Sequence, residues 1–173
     1  TMISAMKIES FVNSFEHMNP LALGLNCSLG PDPMRAFLSE LSKKTDAYVS
    51  VYPNAGLPNP LAPSGFDLLP NDMAKFAGEF AAEGLINFVG GCCGNTPDHI
   101  SAIAEEVKKH EPRQLPKIDP CMRLSGSEAY NHTKEKNFLM VGERTNVAGS
   151  PRFSKLIKSN NLDDATRIAR QQV

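Results

Sequence analysis

No stretch of the sequence approaches the roughly 20 consecutive apolar residues that a membrane-spanning helix needs, which excludes a helical membrane protein. Nor is there an excess of either charge. Eighteen basic residues stand against nineteen acidic ones, for a net charge of -1, and the basic side chains are scattered rather than gathered into a stripe. Nothing here would hold a phosphate backbone, so nucleic acid is excluded as a partner. The opening residues Thr1-Met2-Ile3-Ser4-Ala5-Met6-Lys7 lack the charged, then apolar, then small-residue layout of a secretory signal, which predicts a cytoplasmic location. Cysteines are few: Cys27, Cys92, Cys93 and Cys121. An adjacent pair is poor disulfide material, and without a secretory signal an oxidising compartment is not indicated. Metal binding or catalysis is the better use of these sulfurs.

What is present is a repeating grammar of apolar run, loop and helix. Ile8, Phe11, Val12 and Phe15 recur at helical spacing and predict a helix near 6–17, closed by Pro20. The run 21–27 then reads as a strand, 28–32 as a turn, and Met34, Phe37, Leu38 and Leu41 as the apolar face of a helix. The pattern repeats with a strand at 47–52, a Pro/Gly-rich loop to Pro70 and a helix over 71–83. It repeats again with a strand at 85–90, the loop Gly91-Cys92-Cys93-Gly94-Asn95-Thr96 and a helix from Pro97 to His110. Strands apolar on both faces that alternate with helices predict a parallel sheet.

Residues 111–137 carry Pro112, Pro116 and Pro120 and then polar residues, and read as an interdomain linker. A fresh strand over 138–141 follows, then a loop to Ser150 and helical patterning from Pro151 onward with a break at Asn160-Asn161. Three strand–helix units and one more are too few for a barrel of eight. The chain therefore reads as the tail of one α/β domain joined to the head of another, and the expected fold class is α/β of the (βα)8 TIM-barrel type, with the C-terminal part of one barrel in 1–110, the linker in 111–137 and the first βα unit of a second barrel in 138–173.

In parallel α/β architectures the loops at the carboxyl ends of the strands carry function. Cys27 ends the first strand, and Cys92 and Cys93 follow the glycine pair that ends the third, so the three thiols are expected at one rim across one intervening strand. Three thiolates favour zinc and leave its fourth position for solvent or substrate. Gly90, Gly91 and Gly94 would let the backbone aim two consecutive side chains at one point. The competing reading is that cysteines are small buried hydrophobes, and it is the better one for Cys121.

The blocks Gly24-Leu25-Asn26-Cys27-Ser28-Leu29-Gly30-Pro31, Tyr52-Pro53-Asn54-Ala55-Gly56-Leu57-Pro58-Asn59 and Val89-Gly90-Gly91-Cys92-Cys93-Gly94 resemble the homocysteine-binding barrel of cobalamin-dependent methionine synthases. The loop Val141-Gly142-Glu143-Arg144-Thr145-Asn146-Val147-Ala148-Gly149-Ser150 is similar to the start of their pterin-binding barrel. The first three blocks would also suit simpler zinc-dependent homocysteine methyltransferases.

The resemblance implies a methyltransferase of methionine biosynthesis, with Cys27, Cys92 and Cys93 as zinc ligands and homocysteine sulfur in the open position. It also implies cobalamin as methyl carrier, bound by a domain outside this chain, and 5-methyltetrahydrofolate as donor, read by Glu143, Asn146, Gly149, Ser150 and Pro151. Turnover by the 173 residues alone is not expected. Asn54 and Asn59 would shape the substrate mouth. Competing readings are a folate-independent zinc homocysteine S-methyltransferase and a non-catalytic zinc module with Cys121 as fourth ligand. In the last loop, a Glu143–Arg144 ion pair and a turn at Asn146 compete with the pterin role. His99 reads as a surface residue, and Phe76 and Phe80 as core.

Overall fold

A computed structural model describes residues 6–27, 30–62 and 65–172, in two compact units, Thr1–Thr133 and Lys134–Val173. Ser28 and Leu29, which belong to the turn expected after the first strand, lie outside the described residues.

The first unit is built on three parallel strands in the order β1-β2-β3, with β1 Ala22–Asn26, β2 Tyr48–Tyr52 and β3 Phe88–Val89. Asn26 pairs with Tyr52 and Val51 with Val89, so the strands end at one level. Helices α1 (Ile8–Phe15), α2 (Pro31–Lys44), α3 (Pro70–Ala82) and α4 (Pro97–Val107) accompany them, and a single 3-10 turn follows α1. Each of α2, α3 and α4 starts with proline, whose missing N–H costs nothing at that position.

The core joins Ile8 and Val12 of α1, Leu38 and Leu41 of α2, Phe80 of α3 and the inward residues Leu23, Val49 and Val51 of the sheet. A smaller cluster sets Met73 and Ala77 against Ile103 of α4. Arg35 on α2 pairs with Glu79 and Glu83 and lies over the Phe80 ring, fastening α2 to α3. The strands are not buried on both faces. Burial alternates along β2, and Tyr48, Tyr52 and Phe88 are exposed on the opposite face of the sheet. The sheet is therefore covered by its buried core on one side only.

The barrel expectation is corrected by this topology. Among the described residues there is a three-stranded parallel sheet and a separate two-stranded antiparallel one, a mixed α/β fold and not a closed (βα)8 barrel. Closing a barrel requires each edge strand to find a neighbour, and the order β1-β2-β3 leaves β1 and β3 at the two edges. The second sheet arises within 111–137, where β4 (Met122–Ser125) and β5 (Ala129–His132) form a hairpin.

The hairpin packs on the polar side of α1. Ser10 Oγ donates to the Gly126 carbonyl at 2.5 Å, Asn13 Nδ2 donates to the Leu124 carbonyl and to Asn131 Oδ1, and Ser125 Oγ donates to the Ser10 carbonyl. Beyond it, Arg113 is 4% exposed and donates to the carbonyls of Ser42, Thr45 and Ala47, at the end of α2 and the start of β2. Burial pulls its guanidinium below the ordinary value, partly offset by Asp46.

In the second unit the strand expected at 138–141 does not form. Phe138, Met140 and Val141 are largely exposed. A strand exists only as a member of a hydrogen-bonded ladder, and apolar residues alone do not supply a partner. The unit consists of α5 (Pro151–Lys158) and α6 (Leu162–Arg170), broken at Asn160, whose φ is 54°, and at Asn161, whose side chain accepts from the Asp164 N–H. No helix among the described residues is long and apolar enough to cross a membrane.

Candidate metal centre

The ends of two strands, β1 and β3, deliver three sulfurs to one place. Cys27 stands one residue beyond β1, where its N–H donates to the Tyr52 carbonyl at 2.9 Å. Its φ is 59°, in the left-handed region that non-glycine residues seldom occupy. After β3 the chain runs alongside the segment following β2: Gly90 N–H donates to Val51, Cys92 N–H to Pro53, and Ala55 N–H to the Cys93 carbonyl. The loop then turns at Gly94, whose φ is 78° and whose α-carbon faces the Phe66 ring so closely that a Cβ would lie 2.3 Å from it. Only glycine meets both conditions.

The sulfurs of Cys27, Cys92 and Cys93 lie within 4.8 Å of one another. Cys27 Sγ is 3.7 Å from Cys93 Sγ, and Cys92 Sγ is 3.9 Å from Cys93 Sγ. Four ligands placed tetrahedrally about 2.3 Å from an ion are about 3.8 Å from each other, so two of the trio's three separations already match a zinc thiolate site. Soft thiolates match a zinc-like ion, and the donor chemistry fits as well as the spacing. Hydrogen bonds that the Cys93 thiol makes to the sulfurs of Cys27 and Cys92, and then the charges on those sulfurs, push it up to about 11, because both favour its protonated form. A bound cation reverses that balance and favours full ionisation of such a cluster.

Among the described residues this is the one group of three or more cysteines, histidines or carboxylates so placed, and Cys121 is not in it. That geometry gives no support to Cys121 as a fourth ligand. Asn54, expected at the substrate mouth, is buried behind the trio, and its Oδ1 accepts the Cys93 N–H at 3.2 Å. Asn59 donates to Asp67 Oδ1 and accepts from the Leu61 N–H, which holds the long loop after β2 in shape.

Two further asparagines enter the site unannounced by the sequence. Asn95 Nδ2 donates to the Pro53 carbonyl at 3.0 Å, tying the cysteine loop to the neighbouring one, and Asn26 Nδ2 stands 4.0 Å from Cys92 Sγ. His99 is not a surface residue. It is 4% exposed, accepts the Thr96 N–H at Nδ1 and donates from Nε2 to the Leu68 carbonyl. The Thr96-x-x-His99 spacing at a helix start was the available signal.

In the second unit, Asn146 Oδ1 accepts the N–H groups of Ala148 and Gly149, Glu143 accepts the Thr145 hydroxyl, and Ser150 caps α5 ahead of Pro151. These contacts are those of a turn and a helix cap.

Residues 1–107 match the family model described as homocysteine S-methyltransferase. The narrower likeness to cobalamin-dependent methionine synthases is corrected by that match together with the fold. The matched residues hold the first three resembling blocks, which simpler enzymes would share, while the Val141–Ser150 loop that favoured the narrower reading lies beyond them, and no barrel is found among the described residues. The match spans more than half of the 173 residues, and the chain belongs to the homocysteine S-methyltransferase family.

Proposed function

We propose that this chain presents homocysteine for S-methylation at a zinc ion held by Cys27, Cys92 and Cys93. The observation that carries the proposal is the convergence of three sulfurs, one from the end of β1 and two from the loop after β3, within 4.8 Å of one another in a chain of this family. Zinc, when bound, supplies a Lewis acid that displaces the proton of the substrate thiol, whose free pKa is about 8.5, and so keeps it nucleophilic at neutral pH.

The chain's own residues define the site. Three protein donors leave one tetrahedral position unfilled, which is the hallmark of a catalytic rather than a closed structural centre. Cys93 is exposed, and that gives a small thiol an approach. Asn54 and Asn95 hold the cysteine loop against the segment after β2, so the sulfurs are set before substrate arrives. The reaction forms a carbon–sulfur bond to homocysteine as the bond between the methyl carbon and its donor breaks, with the bonding pair departing on the donor.

A donor that requires neither folate nor cobalamin is the better supported one, because the family match ends at residue 107, short of the loop whose resemblance suggested a pterin. A pterin-holding role for Glu143, Asn146, Gly149, Ser150 and Pro151 rests on the resemblance of their loop alone.

The test is zinc content by elemental analysis of the purified chain and of Cys27→Ser, Cys92→Ser and Cys93→Ser. One zinc per chain, lost in each variant, is the expected result. A folded chain without zinc after metal loading would overturn the proposal. Supplying isotopically labelled methyl groups either on a simple cationic donor or on methyltetrahydrofolate with cobalamin, and following label into methionine, separates the two donor routes.

A further inference from the structure

A site of this kind has a selectivity problem. When homocysteine joins three cysteines on one ion, four sulfurs of the same chemical type face the methyl donor, and only one should be methylated. Something must make the protein's sulfurs poorer nucleophiles than the substrate's.

One side chain is placed to do so. Asn26 is the last residue of β1, in register with Tyr52, and its Nδ2 stands 4.0 Å from the sulfur of Cys92, which arrives from the loop after β3. The contact crosses the whole width of the sheet, since β2 lies between. Asn26 is exposed, so burial does not force its amide onto the sulfur. An N–H directed at a thiolate draws on the lone pair that would otherwise attack carbon, and the charge of the thiolate adds to the attraction.

We propose that Asn26 is a positioning residue that donates an N–H···S hydrogen bond to Cys92 and thereby protects that sulfur from methylation. The inference rests on the zinc-thiolate reading of the trio. It assigns to Asn26 no contact with the substrate and no part in the bonds made or broken.

The test uses the full chain loaded with zinc and treated with methyl iodide. Alkylation forms a sulfur–methyl bond, breaks the carbon–iodine bond and releases iodide, and mass spectrometry of peptides reports methylation at each cysteine separately. In Asn26→Ala, Cys92 should be methylated about tenfold faster relative to Cys27 than in the unaltered chain. Asn26→Gln, which keeps the carboxamide donor, should restore part of the difference.

A second readout is the cobalt(II)-substituted protein, where a more electron-rich Cys92 sulfur moves the sulfur-to-cobalt charge-transfer bands to lower energy in Asn26→Ala. A merely structural role would not move a ratio measured within one folded, metal-loaded chain. Metal-loaded Asn26→Ala with an unchanged Cys92-to-Cys27 ratio and unchanged bands overturns the proposal alone. A folded chain that takes up neither metal overturns the zinc reading and this proposal with it.

Discussion

At the scale of single residues, the thiol trio is held by side-chain and backbone groups that are individually ordinary. Asn54 is the best placed of them: its buried Oδ1 takes the Cys93 N–H, and the two residues are 39 positions apart. Asn54→Ala leaves that N–H without its acceptor, with an expected loss of about 1–2 kcal/mol in stability. Metal affinity should fall about 10- to 100-fold, the usual effect of removing an outer-shell partner, as read by competition with a chelator. The three cysteines were legible in the sequence because strand-end position and neighbouring glycines are local patterns. The roles of Asn26, Asn54 and Asn95 were not, since a hydrogen bond between two loops leaves no spacing to read. His99 escaped for a different reason. A polar ring looks like a surface residue until both nitrogens are seen to find partners at a helix start.

Among the elements, α2 and β2 share an anchor at the end of the sheet away from the sulfurs. Arg113 spans the last turn of α2, where Ser42 and Thr45 present carbonyls that no further helical turn can satisfy, and the first residue before β2. A guanidinium there also meets the negative end of the helix dipole. Arg113→Ala strips several charge-assisted hydrogen bonds from buried carbonyls, and a loss of at least about 3 kcal/mol is expected in denaturant unfolding, with one zinc per chain retained in the folded fraction. The helices were readable from periodicity and from the prolines at their first positions. The strand at 138–141 was misjudged because composition reports the capacity to pair and not the presence of a neighbour. The hairpin at 122–132 was read as linker because its strands are short and mostly polar, so neither apolar alternation nor length marked them.

For the first unit as a whole, the sheet and its helices are closed off by a late hairpin returning to an early helix. The barrel expectation failed at this scale, since strand–helix alternation specifies parallel neighbours but does not say how many will be found or whether the edges meet. Ser10 and Ser125, 115 positions apart, bond to each other's groups across that seam. Ser125→Ala should cost about 1–2 kcal/mol and appear mainly as unfolding about 5- to 30-fold faster, with the refolding rate nearly unchanged, in stopped-flow measurements across denaturant. The seam also carries a consequence for how the molecule is made. Synthesis proceeds at about 5–20 residues per second, so α1 leaves the ribosome roughly 6 to 23 seconds before the hairpin that receives Ser10 and Asn13. Through that interval the helix can bury its apolar side against α2 while its polar side stays hydrated, and the order of translation places the closing of this seam last.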